Sequence, residues 1–116
     1  MNWKLFISGM LLFLLGQTLA WYQTNGQFIS QWIKEHPILV AAIGGIPVGY
    51  SYILGTTYLV AAFDGAVWPS RLLGFGIGVI VFTIMSELMF KEPFTAKTGV
   101  CLFLGLLIVL IQILWR

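Results

Sequence analysis

Few residues in this chain are equipped for chemistry. It has six Lys and Arg and four Asp and Glu among 116 residues. Only Arg71 and Glu87 fall inside long apolar runs. An ionisable group at membrane depth is costly to bury, so it marks a candidate site. Arg71 reads as a contact for an anion or a lipid headgroup at one mouth of a cavity. Glu87 reads as a proton or cation site. The two stand about 24 Å apart along a helix axis, too far to pair. Each can also reach the interface by snorkelling, which asks for no function. Asp64, in a tight turn near Arg71, is the expected ion-pair partner.

The uncharged candidates are Gln17 in the first apolar run, and Tyr50, Ser51, Tyr58 and Trp68 further on. Aromatic faces beside hydroxyls suit an amphipathic pocket that accepts cations or apolar bodies. For Tyr52 and Tyr58, ordinary helix packing is the leading reading. Enzyme chemistry finds no support. There is one histidine, His36, and one cysteine, Cys101, so no metal-ligand cluster and no nucleophile triad can be assembled. No phosphate-binding glycine loop or dinucleotide fingerprint occurs. The chain is read as a non-enzyme without a cofactor.

These residues must be positioned by membrane helices. The chain is 59% hydrophobic and 9% charged, against about a quarter charged in soluble domains. Such a composition leaves no solvated surface, and lipid is the solvent that accepts an apolar exterior. One span takes roughly 20 apolar residues. The expected fold is all-α: a single integral membrane domain of four transmembrane helices in a bundle. The spans are expected at about 3–22, 37–63, 67–90 and 98–115.

The first span has a signal-peptide-like outline, with Lys4, an apolar core and a small-residue site near Ala20. Its length and its end in Trp21-Tyr22 favour an uncleaved helix. The polar stretch Gln23–His36 carries Phe28, Ile29, Trp32 and Ile33 at helical spacing, which predicts a short interfacial helix. Pro37 suits a helix start. Pro47 is expected to kink span two. Gly45 with Gly49, and Gly74 with Gly78, offer small surfaces for close helix approach.

Charge does not orient the chain. Four spans place Lys4, Arg71 and Arg116 on one side, and Lys34, Lys91 and Lys97 on the other. Orientation normally follows an excess of Lys and Arg on the cytoplasmic side, and neither side has one. Dual insertion and an antiparallel homodimer follow as an expectation. Scattered basic residues make no patch for nucleic acid, so the expected surroundings are membrane lipid and a second copy.

Four spans in so short a chain resemble the small multidrug resistance proteins and other four-helix members of the drug/metabolite transporter superfamily. The stretch from Tyr58 to Trp68, YLVAAFDGAVW, is similar in layout to the end of that family's second helix and the start of its third. There a tryptophan opens helix three and faces the substrate, and Trp68 holds that place. Gly74-Phe-Gly-Ile-Gly78 follows, as in the family's third helix. The stretch from Phe90 to Gly99, FKEPFTAKTG, resembles the superfamily's acidic turn before a final apolar helix. The tail Leu19-Ala-Trp-Tyr22, with Pro69 and Arg71, is closer to another four-helix branch of the superfamily.

The resemblance implies a small secondary transporter or facilitator in a bacterial plasma membrane, working as a dimer on a small or lipid-like molecule. One departure matters. The multidrug exporters carry a glutamate in mid-helix one that binds drug cation and proton in turn. That place falls at or near Phe13 here, and span one has no acid. Proton-coupled cation export is therefore not expected. The alternative is an accessory or structural membrane subunit without a substrate of its own. The two readings differ in where Gln17, Tyr50, Trp68 and Arg71 point.

Overall fold

The computed structural model describes residues 1–115, so Arg116, counted above in the charge balance, lies outside the described residues. Five helices follow in chain order: α1 (Trp3–Asn25), α2 (Gln31–Glu35), α3 (Pro37–Ala62), α4 (Trp68–Phe90) and α5 (Ala96–Leu114). All but α2 are long and apolar enough to cross a membrane, the pattern of an integral membrane protein.

The helix ends follow local chemistry. Asn2 caps α1, its Oδ1 accepting from the backbone N–H of Lys4 at 3.1 Å and of Leu5 at 3.3 Å; a short polar side chain satisfies donors that have no intrahelical partner. Thr95 Oγ1 caps α5 by accepting from Thr98 N at 3.2 Å. α3 opens on Pro37 and α4 on Trp68-Pro69, where a missing N–H costs nothing. The turn between them uses positive φ at Asp64 and Gly65, and α4 ends with Lys91 left-handed.

α1 runs to Asn25, three residues past the expected end, because Thr24 and Asn25 side chains bond back to the carbonyls of Ala20 and Trp21. The expected interfacial helix is split. Gly26–Phe28 form a 3-10 turn and only Gln31–Glu35 are α-helical, with an extended Ser30 between them.

The helices form a slab, with Cα extents of 46 × 35 × 18 Å. α1 packs on α3, α4 touches α1 and, less closely, α3, and α5 approaches α4 alone. Two glycine pairs bring backbones together. A Cβ on Gly9 would stand 3.0 Å from the Gly55 carbonyl oxygen, and one on Gly55 would stand 3.2 Å from that of Gly9. A Cβ on Gly76 would stand 2.8 Å from the Gly105 oxygen. Lipid tails are as apolar as Leu, so association rests on close packing, and glycine permits it.

The glycines singled out from spacing behave differently. Nothing lies within 4 Å of a Cβ at Gly45 or Gly49, so that face of α3 packs on nothing within this chain. Gly74 and Gly78 receive side chains from α1: the Phe13 ring and the Gln17 amide. The core is a cluster of Phe6, Phe13, Leu59, Ala62 and Leu73, with Leu59 and Leu73 fully buried. Phe13 is its wedge. Its ring fills the clearing at Gly55 and Gly74 and meets Tyr52 edge-on at 5.8 Å.

Candidate functional site

A thin slab has a small interior, and polar groups placed on its faces matter. A groove with polar lining lies where α1, α3 and α4 meet, with a volume of about 490 Å³. Phe13 and Gln17 line it from α1, one turn apart. Tyr52 and Thr56 line it from α3, also one turn apart. Val67 closes one end, and α4 contributes Ser70, Arg71, Gly74 and Phe75. This (i, i+4) spacing on three helices sets the polar groups on facing stripes.

The groups differ in how far their hydrogen-bonding capacity is used. Gln17 Nε2 donates to the Gly74 carbonyl at 3.1 Å. That contact needs Gly78, since a Cβ there would stand 3.0 Å from the same nitrogen. Ser70 Oγ donates to the Val67 carbonyl at 2.8 Å. Thr18, Thr57 and Thr83 each donate to a carbonyl one turn earlier, the usual way for a hydroxyl in a membrane helix to satisfy itself. Thr56 and Tyr52, by contrast, make no side-chain hydrogen bond among the described residues, and both residues line the groove.

Arg71 stands in the first turn of α4, at the groove's edge, with its Cζ 5.0 Å from the Phe75 ring centroid. A cation over an aromatic face contributes about 0.5–1 kcal/mol when exposed. The expected Asp64–Arg71 ion pair is absent among the described residues. Asp64 adopts φ 56° in the turn after α3 and is exposed, so the loop serves chain reversal. Arg71 has no carboxylate partner among the described residues.

The remaining candidates scatter. Ser51 is buried and donates to the Pro47 carbonyl at 2.8 Å, so it serves the helix around the proline. Tyr58 is half-buried away from the groove. Tyr50 and Trp68 point outward, 62% and 77% exposed. Glu87 lies near the far end of α4, in a separate groove of about 280 Å³ that also holds Glu92, Lys97 and Cys101. A shallow furrow over Gly78 joins the two grooves. It shares Gln17, Gly74 and Phe75 with the first, and Phe82 and Thr83 with the second.

Sequence reasoning missed Tyr52, Thr56 and Ser70 as groove residues; its packing reading of Tyr52 agrees with the ring's contact on Phe13 and the core, and the same residue also lines the groove. The signal available was the (i, i+4) pair Tyr52–Thr56 on an otherwise apolar helix. Among the described residues no group of three or more His, Cys, Asp or Glu is placed to hold a metal. Comparison with protein-family models, with curated proteins and with solved structures finds no match.

Proposed function

We propose that this protein is a small secondary transporter or facilitator of the drug/metabolite transporter type, acting as a homodimer in a bacterial plasma membrane. The observation that supports it most is the gathering of polar groups at one groove. Gln17, Tyr52, Thr56, Ser70 and Arg71, from three helices, border one open space between membrane-spanning helices. Lipid-facing surface has no use for such a grouping, because each polar group there costs solvation. A slab 18 Å thin cannot enclose a path by itself, and a second copy laid over the groove makes it a central chamber. Pro47, inside α3, removes one backbone hydrogen bond and offers a weak point about which packed halves can rock around a midplane site.

The replacement of the exporter-type glutamate by buried Phe13 argues against proton-for-cation exchange in that chamber. The outward Tyr50 and Trp68 favour the second reading, an accessory subunit whose aromatic faces meet another protein or lipid.

Adjacent cysteines separate the readings. Thr56 borders the groove and Thr57, at nearly the same depth, is exposed on the other side of α3 and bonded to Ile53. In the Cys101→Ser background, Thr56→Cys is expected to react with a membrane-impermeant maleimide and Thr57→Cys to stay unmodified. Protection of both would remove the water-reached chamber and leave the accessory reading.

A further inference from the structure

We propose that the groove takes an anionic headgroup, a phosphate or carboxylate, attached to an apolar body: a lipid-like anion. The inference rests on the transporter reading and names its substrate class.

Three donor residues line the groove without a partner among the described residues. Arg71 is cationic, lies over the Phe75 ring and has no carboxylate partner among the described residues. The hydroxyls of Tyr52 and Thr56 make no hydrogen bond among the described residues, although Thr18, Thr57 and Thr83 all satisfy theirs on backbone. No acid lines this space. Arg71 also stands in the first turn of α4, where the helix dipole is already positive, so the fold adds positive potential there. A cation and two hydroxyl donors, with no counter-charge, are complementary to an anion that accepts hydrogen bonds. A cationic ligand would meet Arg71 with no acid to offset it.

The walls define the rest of the ligand. Phe13, Val67 and Phe75 line the groove beside these donors, and Val67 and Phe75 are 64% and 53% exposed. An apolar body attached to the headgroup can lie against them. The furrow over Gly78 continues the groove past Gln17 towards Thr83.

The test uses purified full-length protein in a neutral detergent and follows the thermal unfolding midpoint, since a ligand that binds the folded state raises it. Four probes are titrated: dihexanoyl phosphatidic acid, inorganic phosphate, dihexanoyl phosphatidylcholine and tetraphenylphosphonium. The phosphatidic acid is expected to bind at least about tenfold more tightly than the other three, and Arg71→Ala to weaken it about tenfold or more, the scale of one charge-assisted hydrogen bond. Arg71→Lys is expected to restore most of the affinity and Thr56→Val to weaken it several-fold. Both positions border solvent-sized space, so the variants should keep the wild-type midpoint without ligand.

Equal binding of phosphate alone would overturn the lipid-like class in favour of a soluble anion. Preference for tetraphenylphosphonium, or phosphatidic acid binding unchanged in Arg71→Ala, would overturn the anion site. Reconstituted vesicles then separate this inference from the one beneath it. Arg71-dependent binding with no movement of a fluorescent phosphatidic acid across the bilayer would retain the anion site and overturn transport. Movement of the cation, indifferent to Arg71, would do the reverse.

Discussion

The indole Nε1 of Trp21, near the end of α1, donates a hydrogen bond of 3.2 Å to Ser86 Oγ on α4. Both residues are buried, at 3% and 5% exposure. In a membrane such a bond is worth about 1 kcal/mol. Its two ends are not equivalent. After Trp21→Phe the serine hydroxyl can turn to a carbonyl one turn earlier in its own helix. After Ser86→Ala the indole N–H is stranded in an apolar site, at a cost of about 1–3 kcal/mol. Ser86→Ala is therefore expected to destabilise more than Trp21→Phe, with the double variant less impaired than the sum. Unfolding in mixed detergent micelles measures all three. Equal and additive losses would show that the bond contributes nothing specific.

Gly76 and Gly45 should respond oppositely to the same change. A Cβ on Gly76 would meet Gly105 oxygen at 2.8 Å and Val109 Cγ2 at 2.7 Å. The oxygen is backbone and cannot turn away, so Gly76→Ala must push α5 off α4, at a cost of about 2 kcal/mol. Gly45→Ala meets nothing within 4 Å and should gain up to about 1 kcal/mol of helix propensity. The same unfolding assay decides. A large loss at Gly45 in the dimer, but not in a monomeric variant, would place that face at the subunit contact.

Pro47 lies inside α3 and is exposed. It cannot donate to the carbonyl of Ile43, and a helix interior without that proline is favoured by up to about 3 kcal/mol. Pro47→Ala is expected to raise the unfolding midpoint while slowing movement of whichever ligand the groove takes. A variant that is more stable and equally fast would show that the proline has no part in transport.

Asn2 and Lys34 bracket the first span, with the whole of α1 between them. A helix of that length is about 35 Å long, so short crosslinkers cannot join the two within one chain. With single cysteines at these positions in the Cys101→Ser background, an Asn2–Lys34 crosslink between copies in native membranes is the expected product of an antiparallel dimer. Crosslinks only between like positions would indicate a parallel pair. Absence of any crosslink would favour the accessory subunit.

Much of the architecture was legible from local rules. The four spans were readable because length and apolarity alone decide whether a helix crosses a bilayer, and Pro37 marks a start whatever surrounds it. The (i, i+4) glycine rule picked Gly74 and Gly78, which are used, but as seats for Phe13 and Gln17. It also picked Gly45 and Gly49, which no neighbour in this chain touches. It passed over Gly9–Gly55 and Gly76–Gly105, where backbones meet.

The candidate site divides in the same way. Gln17 and Arg71 could be singled out because polar and charged residues in apolar runs are conspicuous. Tyr50 and Trp68 were equally conspicuous and face outward. Tyr52 and Thr56 were less so, and face the groove.

By itself, the sequence determined that the chain carries four helices apolar enough to cross a membrane, and where those helices begin. Those properties are sums over neighbours along the chain. Only the tertiary structure decided which face of each helix meets another helix. In lipid an apolar stripe no longer marks the buried side, because the exterior is apolar too. The rotation of α3 is set instead by close contacts such as Gly9 with Gly55 and the wedge of Phe13. That rotation turns Tyr52 and Thr56 towards Arg71, and Tyr50 away from it.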